Sequence, residues 1–130
     1  TLNKKLFQSF EPLEVDVVYD VYQEMKDLQI GVAIYSSDRK IYVFGPNTNL
    51  DKYPLPQQAG RYQMRYRIPK LALMSGDYVI DVGIFNSDGI VNLDYRNGCK
   101  AFSVANEYFS EGMIYLEHEW DVEKLTTEEN

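Results

Sequence analysis

The sequence predicts an all-β fold, an antiparallel sandwich of about eight short strands. Three observations carry that prediction. The residue mix favours pleated sheet over helix, with 11 Val, 8 Ile, 11 Tyr and 6 Phe against 5 Ala. Apolar and polar residues alternate with a period of two along several stretches, the mark of a strand with one wet face. Turn-forming clusters separate those stretches at short intervals: Ser36-Ser37-Asp38, Asn47-Thr48-Asn49, Ser75-Gly76-Asp77, Asn86-Ser87-Asp88-Gly89 and Asn97-Gly98.

The elements follow in order. Leu13, Val15, Val17, Tyr19 and Val21 alternate with Glu14, Asp16, Val18, Asp20 and Tyr22, giving a first strand. Ile30, Val32 and Ile34 alternate with Gly31, Ala33 and Tyr35, and a short run over 41–44 stops at Gly45-Pro46. Tyr62, Met64, Tyr66 and Ile68 alternate with Arg61, Gln63, Arg65 and Arg67. Leu71-Ala72-Leu73-Met74 has the composition of one helical turn on a crossover. Tyr78, Ile80, Val82 and Ile84 alternate with Asp77, Val79, Asp81, Gly83 and Phe85. Stretches 91–95, 100–104 and 113–120 complete the set, and 121–130 reads as an acidic, frayed tail. The expected core is Val15, Val17, Val32, Ile34, Tyr66, Ile80, Val82 and Ile84. Residues 33–38 recur in kind at 83–88, which supports a pair of hairpins with similar turns. The 130 residues suit a single domain, 1–130, with neither linker nor second core.

Composition narrows the function classes. With 13 Lys+Arg against 20 Asp+Glu, the net charge of -7 disfavours a nucleic-acid partner and a grip on anionic lipid. No apolar run approaches the roughly 20 residues of a transmembrane helix, so direct membrane insertion is not expected. Cys99 is the lone cysteine and excludes an intrachain disulfide. A start at Thr1, with no signal-peptide pattern, suggests a fragment of a longer chain.

The catalytic inventory is thin. His118 is the lone histidine and has no second His or Cys at ligand spacing, so no metal site is expected. No Gly-x-Ser-x-Gly elbow and no phosphate-cradling Gly-Lys-Ser/Thr loop occurs. A Cys99–His118 nucleophile pair requires the two to meet in space. A carboxylate pair such as Asp81 and Asp94 is the residual route to a small carbohydrate-active enzyme. The chain is expected to be non-catalytic.

The outward positions say more. Arg61, Gln63, Arg65 and Arg67 line one side of one strand, and Asp77 and Asp81 the comparable side of another. Tyr22, Tyr35 and Phe85 also fall on faces turned from the core. A pyranose needs an aromatic face for its C–H surface and fixed polar groups for its hydroxyls, and these residues offer both. The competing reading is cross-strand Arg–Asp pairing with scattered surface aromatics. The expected carbohydrate-binding set is Tyr35, Arg65, Arg67, Asp81 and Phe85 on one concave outer face, with Trp120 nearby as a stacking residue. Gly31, Ala33 and Gly83 would leave room for the sugar ring, and Arg65 and Arg67 could meet an anionic cap. The loops around Asn47 and Tyr53 are the alternative locus.

A resemblance joins these pieces. Phe10-Glu11-Pro12-Leu13-Glu14-Val15, then Ile30-Gly31-Val32-Ala33-Ile34-Tyr35, then Val43-Phe44-Gly45-Pro46-Asn47-Thr48 open the series. Gly60-Arg61-Tyr62 leading to Ile68-Pro69, Leu71 through Tyr78, Phe102-Ser103-Val104 and a last stretch ending at Trp120 continue it. In order and spacing the chain resembles the C-terminal carbohydrate-binding domain of Wzt-type ATP-binding subunits of O-antigen ABC transporters, over roughly residues 10 to 120. Pro46, between Gly45 and Asn47-Thr48, departs from that pattern.

The resemblance implies an immunoglobulin-like sandwich and a homodimer formed by exchange of the last strand. It implies a polysaccharide ligand, the non-reducing end of lipid-linked O-antigen, bound in the cytoplasm at the inner face of the inner membrane. It implies a transmembrane permease as partner of the parent protein. No cofactor is implied for this domain, ATP being bound by a nucleotide-binding domain elsewhere in the parent. Gly112, ahead of 113–120, would serve as the hinge for exchange, and the bland alternative is an edge strand folding back on its own sandwich. A protein-interaction sandwich without a sugar ligand is the other competing function.

Overall fold

A computed structural model describes residues 5–86, 91–108 and 111–125. Among them seven strands form: β1 (Leu6–Gln8), β2 (Leu13–Val21), β3 (Gln29–Ser36), β4 (Tyr42–Phe44), β5 (Gly60–Ile68), β6 (Gly76–Asn86) and β7 (Val91–Ala105). They make a five-stranded sheet ordered β1-β7-β6-β3-β4 and a two-stranded sheet of β2 and β5, packed as a sandwich.

Register explains why the alternation works. In the large sheet Ile30 pairs with Ile84, Val32 with Val82 and Ile34 with Ile80, so both strands turn their branched residues inward together. In the small sheet Leu13 faces Ile68, Val15 faces Tyr66 and Tyr19 faces Tyr62 on the side turned to the first. Val15, Val32, Ile34, Ile80 and Val82 are buried as expected, while Val17, Tyr66 and Ile84 pack half-buried against them.

Four expectations need correction. The sandwich is not wholly antiparallel, and seven strands rather than about eight are described: β1, too short to show alternation, pairs in parallel with β7 and buries Phe7 edge-on against Phe102 at 5.7 Å. Asn97-Gly98 does not end a strand. β7 runs through it, and a register shift opposite Ile80/Val82 absorbs the extra residues as a bulge, with Gly98 at φ 58°. The 71–74 stretch is extended rather than helical, because Leu73 bridges to Ile114, and Met113 and Tyr115 bond to the backbone of Met74 and Ala72. The expected last strand, 113–120, is limited to that bridge, and from Leu116 to Leu125 the chain is an exposed arm in no strand. An isolated strand is not stable in water, so the arm lacks regular pairing unless another edge reaches it. The repeat of 33–38 at 83–88 falls partly outside the described residues. No described helix is long and apolar enough to cross a membrane.

Candidate functional site

The outer face of the five-stranded sheet is built by positions that alternation turns away from the core. Ala33 lies opposite Asp81 and Gly31 opposite Gly83 across β3 and β6. Tyr95 of β7 lies opposite Gly83, and Tyr42 of β4 opposite Tyr35. Small residues on this face are explained by the rings lying over them. A Cβ at Gly83 would come within 2.5 Å of the Phe85 ring and 2.9 Å of Tyr95. The space expected to admit a sugar ring there is filled by the protein's own Phe85.

Asp81 is the centre of the face. Arg39 Nη1 donates to its Oδ2 at 2.9 Å and Arg39 Nη2 to its Oδ1 at 2.8 Å. Tyr95 Oη donates to Oδ2 at 2.8 Å, and the Gly98 amide to Oδ1 at 2.6 Å. Each donor is delivered by a local device. Arg39 sits at φ 62° in the turn between β3 and β4, where its amide bonds Ser36 O at 2.8 Å. Asp38 fixes that turn by accepting the Ser36 hydroxyl and the Lys40 amide. Gly98 presents its amide because the β7 bulge turns there. Arg39 holds the Asp81 carboxyl well below the usual carboxylate range, at about 2, with the Gly98 and Tyr95 bonds acting the same way against burial. Burial, and then the bond to Asp81, push the Tyr95 phenol up, so it stays a neutral donor.

Aromatic rings flank this cluster on both sides. Tyr35 stacks on Tyr42 with centroids 4.7 Å apart at 18°, and the Arg39 guanidinium lies 5.3 Å from the Tyr35 centroid. Phe85 and Tyr95 meet at 6.4 Å on the other side. Tyr42 leaves 59% of its surface open.

The expected residues do not converge on one face. Tyr35, Asp81 and Phe85 come together, but Asp81 is only 1% exposed and has four donors, so it positions Arg39 and Tyr95 rather than reaching outward. Arg65 and Arg67 belong to the outer face of the other sheet, where they pair with Asp16 at 3.5 Å and Glu14 at 3.1 Å. Cross-strand register dictates this, since Asp16 is opposite Arg65 and Glu14 opposite Arg67. Trp120 lies on the arm, 86% exposed, and its ring meets His118 of the same arm. Asn47 serves its own loop, accepting the Leu50 amide at 2.7 Å. Arg39, Tyr42 and Tyr95 were missed. Alternation marks Tyr42 and Tyr95 as outward, but only register shows that they share a face with Asp81.

The catalytic alternatives lose their geometry. A cleft of about 860 Å³ between the sheets is lined by Val15, Tyr19, Val82, Asp94, Arg96 and Lys100 among others. Asp94 therefore faces this cleft while Asp81 faces outward, so the sheet separates the expected acid pair. Cys99 donates weakly to Ile80 O at 3.4 Å, and burial pushes its thiol up. His118 packs against Tyr108 and Tyr115 on the arm, away from it.

A family model for the Wzt C-terminal domain matches residues 2–116. The structure described as the crystal structure of the C-terminal domain of Wzt superposes with a TM-score of 0.76 at 15% identity, over 90% of this chain and 73% of that one. A family 76 glycoside hydrolase from a bovine Bacteroides thetaiotaomicron strain aligns at a TM-score of 0.38 and 13% identity, over 84% of this chain and 19% of that one, too low a similarity to bear on fold or function. No curated protein gives a significant match. The long family match and the shared sandwich agree: this chain belongs to the Wzt C-terminal domain family.

Proposed function

We propose that this chain is a single non-catalytic carbohydrate-binding domain that holds the non-reducing end of a lipid-linked O-antigen polysaccharide for export by an ABC transporter. The family is associated with O-antigen transport by carbohydrate binding and is not a catalytic one. The observation that carries the reading to a site is the Tyr42–Tyr35–Arg39 stack beside Tyr95 on one sheet face. The Tyr42 ring, 59% exposed, can accept the C–H face of a pyranose, with Tyr35 stacked against it as support. Tyr95 spends its proton on Asp81, and a hydrogen bond with Tyr35 holds its phenol in place beside the stack. Arg39 spends two N–H groups on Asp81, leaving others of its five to donate. Because Asp81 fixes both groups, little ordering is left for the ligand to impose. Affinity is expected at about 10 µM to 1 mM, or roughly -7 to -4 kcal/mol.

The assembly reading belongs with it. The arm from 116 carries Leu116, Trp120 and Val122 exposed in strand-like spacing, and β2 and β5 each have an edge without a strand partner among the described residues. A second copy would supply what the arm lacks, giving a homodimer by strand exchange. The parent protein would hold ATP in its own nucleotide-binding domain and meet a transmembrane permease at the cytoplasmic face of the inner membrane.

Calorimetric titration of candidate O-polysaccharides against folded Tyr35→Ala and Tyr42→Ala variants tests the site. Each loss is expected to weaken binding about tenfold or more, whereas unchanged affinity in both variants refutes it.

A further inference from the structure

We infer that the sugar end taken by this face is uncharged, an inference that rests on assigning the face to glycan binding. Charge placement carries it. The arginines that look available in the sequence are elsewhere: Arg61, Arg65 and Arg67 pair with Asp20, Asp16 and Glu14 on the opposite sheet. Arg96 lies along the cleft between the sheets with Asp94.

The guanidinium that does reach the rings is Arg39, and both its terminal nitrogens are on Asp81. Asp81 has almost no contact with solvent, so its charge depends on that pairing. An anionic ligand that drew Arg39 away would strand a buried carboxylate, the least favourable arrangement of an ion pair. Two further carboxylates border the face. Asp77, outward on β6, accepts the Ser103 hydroxyl at 2.6 Å, and Asp38 lies in the turn that carries Arg39. Asp38, Asp77 and Asp81 thus stand against Arg39 and its neighbour Lys40, leaving the local balance slightly negative. Phosphate or carboxylate caps would meet that negative balance, which Lys40, exposed in the turn beside Asp38, offsets only in part. A neutral sugar meets none of this. Its hydroxyls can bond the remaining Arg39 N–H groups without disturbing the ion pair, and its apolar face needs only the exposed Tyr42 ring.

The experiment uses the chain as it stands. Oligosaccharides ending in neutral mannose, galactose, rhamnose or N-acetylglucosamine are titrated beside counterparts of the same backbone capped with phosphate or ending in a uronic acid. The expected result is binding to one or more neutral members, about tenfold or more weaker binding to their charged counterparts, and affinity constant within about twofold between roughly 50 mM and 500 mM salt. Selection of a phosphate- or carboxylate-bearing member, with affinity falling steeply as salt rises, overturns the inference and leaves the glycan-binding reading intact. Neutral binding that survives both Tyr35→Ala and Tyr42→Ala overturns it as well, by moving the site off this face. Binding to no glycan of either kind overturns the glycan-binding reading itself and the inference with it.

Discussion

On the outer face of the small sheet, Arg65 meets Asp16 at 3.5 Å with the two side chains 72% and 27% exposed. On the outer face of the large sheet, Arg39 meets Asp81 at 2.8 Å with 40% and 1% exposed. The first pair is a cross-strand neighbour contact bathed in water, screened by salt and competing with side-chain freedom. The second is one edge of a network in which a buried carboxylate accepts from a guanidinium, a phenol and a backbone amide. The same two residue types therefore do different work. One face gains solubility and a little register, while the other gains a fixed set of donors and rings.

Removing the Asp81 carboxylate separates the faces most sharply. Asp81→Ala leaves Arg39, Tyr95 and the Gly98 amide without their acceptor and is expected to cost about 3–5 kcal/mol in urea unfolding. A loss under about 1 kcal/mol would mean that the network contributes no more than the surface ladder.

The pH dependence is the next largest effect. The folded Asp81 carboxyl lies at about 2, below its ordinary 3.8. A depressed acid stabilises the fold above its unfolded value, so this contribution is complete above about pH 4 and is lost as pH falls toward 2. It amounts to roughly 2 kcal/mol. Urea midpoints measured across that window should show the loss in the wild type and a shallower slope in Asp81→Asn. Parallel slopes would assign the acid sensitivity to other groups.

Arg65→Ala and Arg67→Ala mark the small end. Each is expected to shift stability by less than about 1 kcal/mol, and less again at high salt. A cost above about 2 kcal/mol at either position would show the ladder to be structural in its own right.

These two faces also mark how far the sequence can be read. Alternation placed Ile34, Ile80 and Val82 inside and Tyr35, Phe85 and Arg67 outside, because a period of two is a local property of each strand. It assigns a side and not a sheet. Arg67 and Tyr35 are both outward, yet they stand on opposite surfaces of the sandwich, and only the pairing of β2 with β5 reveals it. The site was less legible still. Asp81 is joined to Arg39 across 42 residues and to Gly98 across 17. Those contacts depend on a left-handed residue in one turn and a bulge in β7, neither of which alternation encodes. Phe7 was hidden for a related reason, since its three-residue strand carries no pattern and gains its burial from Phe102.

The central claim is that ligand is held by the face bearing Tyr35, Tyr42, Arg39 and Tyr95 rather than by the arginine ladder. Backbone amide shifts of the isotope-labelled chain, followed by NMR as a binding oligosaccharide is added, test it most directly. The account predicts that perturbations centre on Tyr35, Arg39, Tyr42, Asp81 and Tyr95, with residues 61–67 unmoved. Perturbations centred on Arg61, Arg65 and Arg67, with the Asp81 network silent, would contradict it.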